Sequence, residues 1–304
     1  MALRPRCGTR LVSLLALLLL SAALTWAQDG GRRDGRAASY TVIGYSDLGM
    51  NLLSRDYGTL MLCPPYTTLR AQVIRRGGEP RLVRSGVSVG YSLLGNTASS
   101  DKVNFWQYAE ALIGRELAKD TGLTGHGLAG AMEPRPTGDW QVTGIPLTPQ
   151  LDSGEIRPLQ AAKISVSAGD TLLATTQIVA PVSWDVRCAT CHTKPGITAE
   201  QDMLRQHDRL HQTELAKSTP VNCTLCHAQA YVGAAGTDGV KSLSAALHGA
   251  HASRVKADGD QSACYACHPD GQGGSQRDVH RAQGIGCDGC HGSMSDLADA
   301  KRRP

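Results

Sequence analysis

Between residues 40 and 184 apolar and polar positions alternate over short stretches, a period of two that predicts strands. Tyr40–Tyr45 is a short β-branched run. Thr67–Arg75 and Leu82–Tyr91 flank Gly77-Gly78-Glu79-Pro80, a hairpin signal, and Val83, Val87, Val89 and Tyr91 set the alternation of a half-buried second strand. Leu159–Ser167 and Thr171–Val182 flank Ala168-Gly169-Asp170, a second hairpin. One helix is expected over Asn104–Ala118. Ser100 or Asp101 would cap it, and Phe105, Tyr108, Ala109, Leu112 and Ile113 would form its apolar face. Gly122–Pro158 is rich in Gly and Pro and reads as loop, with a strand near Trp140–Thr143. Residues 40–184 are thus expected to be a small β-rich domain with one helix.

The pattern changes at both ends. Leu11–Leu24 is a mostly apolar run behind Arg4, Arg6 and Arg10, with Thr25-Trp26-Ala27 after it. Residues 1–27 read as a secretory signal, cleaved after Ala27, with an uncleaved anchor as the alternative. Gln28–Ser39 has no apolar period and reads as a disordered leader. No other stretch is long and apolar enough for a membrane span, so the mature chain is expected to be soluble. From Asp185 to Pro304 the chain is polar and loop-rich, with no long apolar run.

Composition sharpens this contrast. Phe occurs once and aromatics make up 4% of the 304 residues, a thin supply for a large conventional core. The signal takes three Arg with it, so 31 basic residues fall to 28 against 27 acidic ones in the mature chain. The basic balance of the whole sequence is therefore no signal for nucleic acid.

The chemistry sits in the C-terminal part. Cys188-Ala-Thr-Cys191-His192, Cys223-Thr-Leu-Cys226-His227, Cys264-Tyr-Ala-Cys267-His268 and Cys287-Asp-Gly-Cys290-His291 are four copies of Cys-x-x-Cys-His. Each is a site for covalent attachment of a c-type haem: two thiols take the two vinyl groups, and the next histidine is the proximal iron ligand. Zinc also uses Cys-x-x-Cys pairs, but does not need a histidine directly after every pair. A disulfide scaffold needs no histidines. Four haems are therefore expected, and export agrees, because c-type attachment occurs outside the cytoplasm. Their eight propionates would make the holoprotein acidic.

Six histidines remain. His207, His211, His248, His251 and His280 lie within the haem segment, and His126 does not. On helices, His207 with His211 at i, i+4 and His248 with His251 at i, i+3 would each project from one face. These two pairs match in number the four distal positions, with His280 as a substitute for any of them. A surplus leaves room for one distal ligand to come from another subunit. Met203 and Met294 are lesser axial candidates. His/His ligation lowers the potential relative to His/Met. His126 reads as a loop histidine. Cys63, left over after eight cysteines take haem, reads as a buried free thiol beside Pro64-Pro65, with an intersubunit disulfide as the alternative. Asp47, Asp56, Glu79 and Asp101 are scattered and form no acid/base set, and Gly122–Gly130 lacks the strand and Lys of a phosphate loop.

On these motifs the chain resembles the extracellular tetraheme cytochromes that polymerise into conductive filaments, the OmcE-like type. The likeness covers most of the mature chain. In the haem part it rests on the four motifs and on Ser242-Leu243-Ser244-Ala245-Ala246-Leu247-His248-Gly249-Ala250-His251. More specific strings are Asp47-Leu48-Gly49-Met50, Pro64-Pro65-Tyr66, Asn104-Phe105-Trp106-Gln107-Tyr108, Thr121-Gly122-Leu123-Thr124-Gly125 and Leu173-Ala174-Thr175-Thr176. The resemblance implies bis-histidine ligation and, in filament members, one haem ligated across the subunit boundary. Related chains often carry His-Cys-Met after Leu-Gly-Met, where this one has Asn51-Leu52-Leu53.

The fold expected is two-part: a signal (1–27), a leader (28–39), an N-terminal β-rich domain with one helix (40–184), and a C-terminal multihaem c-type domain with short helices and loops wrapped around stacked haems (185–304). The function expected is electron transfer without substrate chemistry. The protein would be exported to the cell surface or medium, or else the periplasm. Its partners would be other redox proteins or extracellular electron acceptors, or copies of itself in a homo-polymer, with no nucleic acid. The rival is a multihaem reductase of a nitrogen or sulfur oxyanion with one open haem site. A third reading is an adhesive surface protein with haems as core filler. The reductases often replace one proximal His by Lys, and no Cys-x-x-Cys-Lys occurs here.

Overall fold

The computed structural model describes residues 40–184, 188–256, 263–271 and 273–299. The expected signal and leader lie outside the described residues. Among those described, no helix is long and apolar enough to cross a membrane.

Two sheets form the first part. One is built from β1 (Tyr40–Tyr45), β4 (Thr67–Arg75), β5 (Arg81–Val83), β8 (Glu133–Pro134) and β9 (Trp140–Ile145). Its order is β1-β4-β9-β8, with β5 also paired to β4. The other runs β2-β11-β10-β6-β7, from β2 (Asn51–Leu52), β6 (Ser88–Leu93), β7 (Ala129–Ala131), β10 (Leu159–Ala168) and β11 (Thr171–Ser183). Alternation sets the inner faces: Ala162, Ile164 and Val166 point in from β10, Val89 and Tyr91 from β6, and Leu69, Ala71 and Val73 from β4. These side chains interdigitate as one buried layer, the arrangement of a β-sandwich. Gly44 marks the closest approach. A Cβ there would meet Ile164 Cδ1 at 2.5 Å.

The β10–β11 hairpin forms as the pattern predicts, turning on Gly169-Asp170 with Gly169 at φ +54°. The strand expected over Leu82–Tyr91 is instead two strands in different sheets. β5 pairs β4, and β6 pairs β10. Gly86, at φ +76°, lets the chain leave one sheet for the other between them. Val83 and Val89 therefore share an alternation but not a sheet. Within the expected loop, β7 and β8 form short edge pairings that no apolar period announced.

The helix is α1 (Phe105–Ile113), shorter than expected. Gly114 takes the left-handed conformation at φ 71° and ends it, its N–H bonded to Glu110 O. Phe105, Ala109 and Leu112 are its buried face. Neither Ser100 nor Asp101 caps it. Asn104 occupies the cap position, but its side chain is committed elsewhere. Oδ1 accepts from Tyr57 N at 2.9 Å, and Nδ2 donates to Asp56 Oδ1 at 2.7 Å. Asp56 also takes the N–H of Gly58 and the hydroxyl of Thr59. These bonds outweigh the burial that pushes its carboxyl up and hold it below the ordinary carboxylate range.

Beyond residue 188 short helices follow: α2 (Cys188–Cys191), α3 (Ala199–His211), α4 (Leu243–His251), α5 (Gln276–Ala282), α6 (Asp288–His291) and α7 (Met294–Ala298). One strand, β12 (Val221–Asn222), pairs in parallel with β3 (Leu60–Met61). That pairing fastens the second motif to the β part. Leu60, Leu62 and Cys63 pack there with Leu204, Val221 and Leu243. Asn222 strengthens the join, donating to Leu112 O at the end of α1 at 2.8 Å and accepting from Thr224 N at 2.9 Å.

Candidate histidine and cysteine centre

The four motifs close on the same turn. His192 N, His227 N, His268 N and His291 N each bond the carbonyl of the first cysteine of their motif, at 2.8, 2.9, 2.8 and 2.9 Å. One helical turn therefore brings both sulfurs and the imidazole of each motif to one side of the backbone. Cys63, Cys188, Cys191, Cys223, Cys226, Cys267, Cys287 and Cys290 form no disulfide among the described residues. Burial pushes Cys188 up to about 11 and Cys223 up to about 12, so both are protonated thiols in the chain as it stands.

The structure places the remaining histidines on helices. His207 and His211 lie on α3, with ring centroids 4.7 Å apart. His248 and His251 lie on α4, and His280 on the exposed side of α5. Two rings approach motif histidines. His207 stands 6.2 Å from His227 with the planes at 89°, and His248 stands 6.3 Å from His268 with the planes at 20°. His211, His251 and His280 make no ring contact with a motif histidine among the described residues. Likewise no group of three or more His, Cys, Asp or Glu converges there as a bare metal ion would require.

Hydrogen bonds orient several of these rings through Nδ1. His227 bonds Lys241 O at 2.8 Å, His248 bonds Ser244 O at 2.7 Å and His251 bonds Leu247 O at 2.7 Å. A carbonyl only accepts, so Nδ1 carries the proton and Nε2 keeps its lone pair for a metal. At His207 the acceptor is Thr213 Oγ1 at 3.0 Å. That hydroxyl gives its own proton to Asp208 Oδ1 at 2.6 Å, so the imidazole must be the donor. Burial pushes Asp208 up, but Thr213 and the N–H groups of Ala216 and Leu215 hold its carboxyl low. His192 Nδ1 bonds a carboxylate, Asp202 Oδ2, at 3.0 Å. That bond holds Asp202 below the ordinary carboxylate range, against its burial. Burial first, then the neighbouring histidines, lower His207 and His268, which keeps both imidazoles neutral and able to bind metal.

A cleft of about 400 Å³ opens beside the first motif, between the β part and α3. Leu53, Leu60, Trp184, Cys188 and Met203 line it, and Arg55 stands at its edge with its guanidinium 5.9 Å from the Trp184 ring. Met203 belongs to the junction packing, and Met294 opens α7. Cys63 is buried and pushed up to about 11, with Gln229 Nε2 3.8 Å from its sulfur. His126 is tied into a β-part loop by Thr143 O at 2.9 Å. Asn51, in the segment where the related chains carry His-Cys-Met, is buried, donating to Tyr66 O at 2.7 Å and accepting from Tyr231.

Asp202, Thr213, Asp208 and Asn222 escaped the sequence reading. Each acts by position in space, and no spacing from a motif marks them.

No family model and no curated protein matches the chain. Among solved structures it is similar to Pseudomonas fluorescens alkylpurine DNA glycosylase AlkC bound to DNA containing an abasic site analogue. The identity is 10% over 47% of this chain and 30% of that one, with a TM-score of 0.20, and so slight a likeness carries no argument.

Proposed function

We propose that the chain is a tetrahaem electron carrier, its haems attached at Cys188/Cys191, Cys223/Cys226, Cys264/Cys267 and Cys287/Cys290. His192, His227, His268 and His291 are the proximal ligands. Bound haem supplies one-electron chemistry at an iron with no exchangeable ligand. The chain's own residues would attach it and orient the ligands.

The observation that carries this reading is the ring spacing at two of the four motifs. His207–His227 and His248–His268 stand at 6.2 and 6.3 Å. His207, His227 and His248 have Nδ1 engaged, and no hydrogen bond occupies their Nε2 among the described residues. The two close pairs are the residues that would hold a bound group between them, and His207 and His248 would be its second ligands. His211, His251 and His280 are left for the haems at His192 and His291, or for a neighbouring subunit in a filament.

The test is the mass of the exported protein, expected to exceed the mature polypeptide by four haems. A mass equal to bare polypeptide overturns the reading. Electron paramagnetic resonance then separates carrier from reductase. A carrier gives low-spin ferric signals throughout, whereas a reductase gives a high-spin signal equal to one haem per chain. His207→Ala should convert one low-spin haem to high spin.

A further inference from the structure

We propose that Asp202 holds the haem attached at Cys188 and Cys191 at the lowest reduction potential of the four. The proposal rests on the haem reading above and deepens it.

The histidines of the haem part differ in what receives the Nδ1 proton. His227, His248 and His251 give it to neutral backbone carbonyls. His207 gives it to a hydroxyl, with the Asp208 carboxylate one bond further off. His211, His268, His280 and His291 have no ring hydrogen bond among the described residues. His192 alone faces a carboxylate directly, Asp202 Oδ2 at 3.0 Å.

The sequence builds that carboxylate into place. Thr198 caps α3, its hydroxyl taking the Gln201 N–H at 3.2 Å while Gln201 returns a bond to Thr198 N. Asp202 follows in the first turn, its N–H on Thr198 O at 3.0 Å, where the helix N-terminus favours negative charge. The side chain is buried, among the described residues its one ion pair is with His192, and the Lys194 charge also acts on it. Its second oxygen takes Gln206 Nε2 at 3.4 Å.

A carboxylate receiving Nδ1–H makes the imidazole a stronger donor to its metal. Burial keeps water from screening the charge. Both effects stabilise ferric over ferrous iron, so the potential falls. Reduction takes one electron from an external reductant, and the Nδ1 proton stays within the His192–Asp202 bond. The site would accept its electron last and release it first, which makes the first motif the high-energy end of the chain of centres.

Asp202→Asn tests this in the full holoprotein by spectroelectrochemical titration with redox mediators. Asparagine keeps an oxygen to accept from His192 and removes the charge. Wild type should show one one-electron step below the other three. In Asp202→Asn that step should rise until the site is tenfold more reduced than oxidised at the wild-type midpoint, a shift of about 59 mV, with the others unmoved. Glu200→Gln is the control. Glu200 shares α3 and the cleft beside Cys188 but does not touch His192, so its removal should move the step less. Four retained haems with no step moved, or an equal shift in Glu200→Gln, overturns the proposal. If Asp202→Asn loses the first haem, the three-haem protein must lack the lowest step, and persistence of that step overturns the proposal too. A wild-type protein with no haem by mass overturns the carrier reading instead.

Discussion

The β part and the helical part bury apolar surface in opposite ways. In the sandwich, Leu69, Val73, Ile145, Ile164 and Val166 are almost wholly covered by other side chains. Beyond residue 188 the buried apolar side chains among the described residues are Leu204, Val221, Leu243, Ala245 and Pro269, and the first three belong to the junction with the β part. Large apolar side chains lie open in both parts, Ile43, Leu82 and Leu172 in the sandwich and Leu210, Leu225 and Val279 beyond it. Leu210 is next to His211, Leu225 lies inside the second motif, and Val279 is next to His280. One part is completed by its own residues. The other leaves Leu210, Leu225 and Val279 open beside its histidines and cysteines.

The largest expected effect comes from withholding haem. In chain made without haem attachment, hydrogen exchange should find protection retained across β10 and β11 and lost across α3 to α7. Equal protection in both parts would break the contrast. Next is Ile164→Ala, which removes a fully buried side chain between the sheets and should cost about 2–5 kcal/mol in denaturant unfolding. It should leave the haem potentials alone. Gly44→Ala follows, at about 1–3 kcal/mol, because its Cβ would meet Ile164 and Ile178 at 2.5 and 2.9 Å. Asn222→Ala should cost about 1 kcal/mol. Its sharper readout is faster exchange at Thr224 N, whose acceptor it removes.

The smallest effect is a pH dependence confined to the β part. The Lys102 ammonium, 2.6 Å away, and the Thr97 N–H lower Asp152 from an ordinary 3.8 to about 2. A carboxyl whose folded value is depressed adds stability that is complete above its unfolded value and lost as pH falls through the folded one. The loss should therefore run from about pH 4 to about pH 2, and exposure keeps it below about 1 kcal/mol. Asp152→Asn should flatten that segment of the stability curve.

How far the sequence could be read followed from the range of the forces involved. The β10–β11 hairpin was legible because alternation and the Gly169-Asp170 turn are local. The end of α1 was misread because nothing but the left-handed geometry of Gly114 stops an apolar pattern that runs on. The split between β5 and β6 was hidden because two strands of different sheets can share one alternation.

The turn of each motif was legible without help, since five consecutive residues suffice to fold one turn that carries two thiols and an imidazole together. Helical spacing likewise put His207 with His211, and His248 with His251, on common faces. Which imidazole approaches which motif depends on how α3 and α4 pack, and that packing is set by contacts between residues far apart in the chain. The same holds for Asp202 against His192 and for β12 against β3. A hydrogen bond ten residues away, or a strand pairing some 160 residues away, leaves no periodic trace along the chain because it is a property of the packed solid.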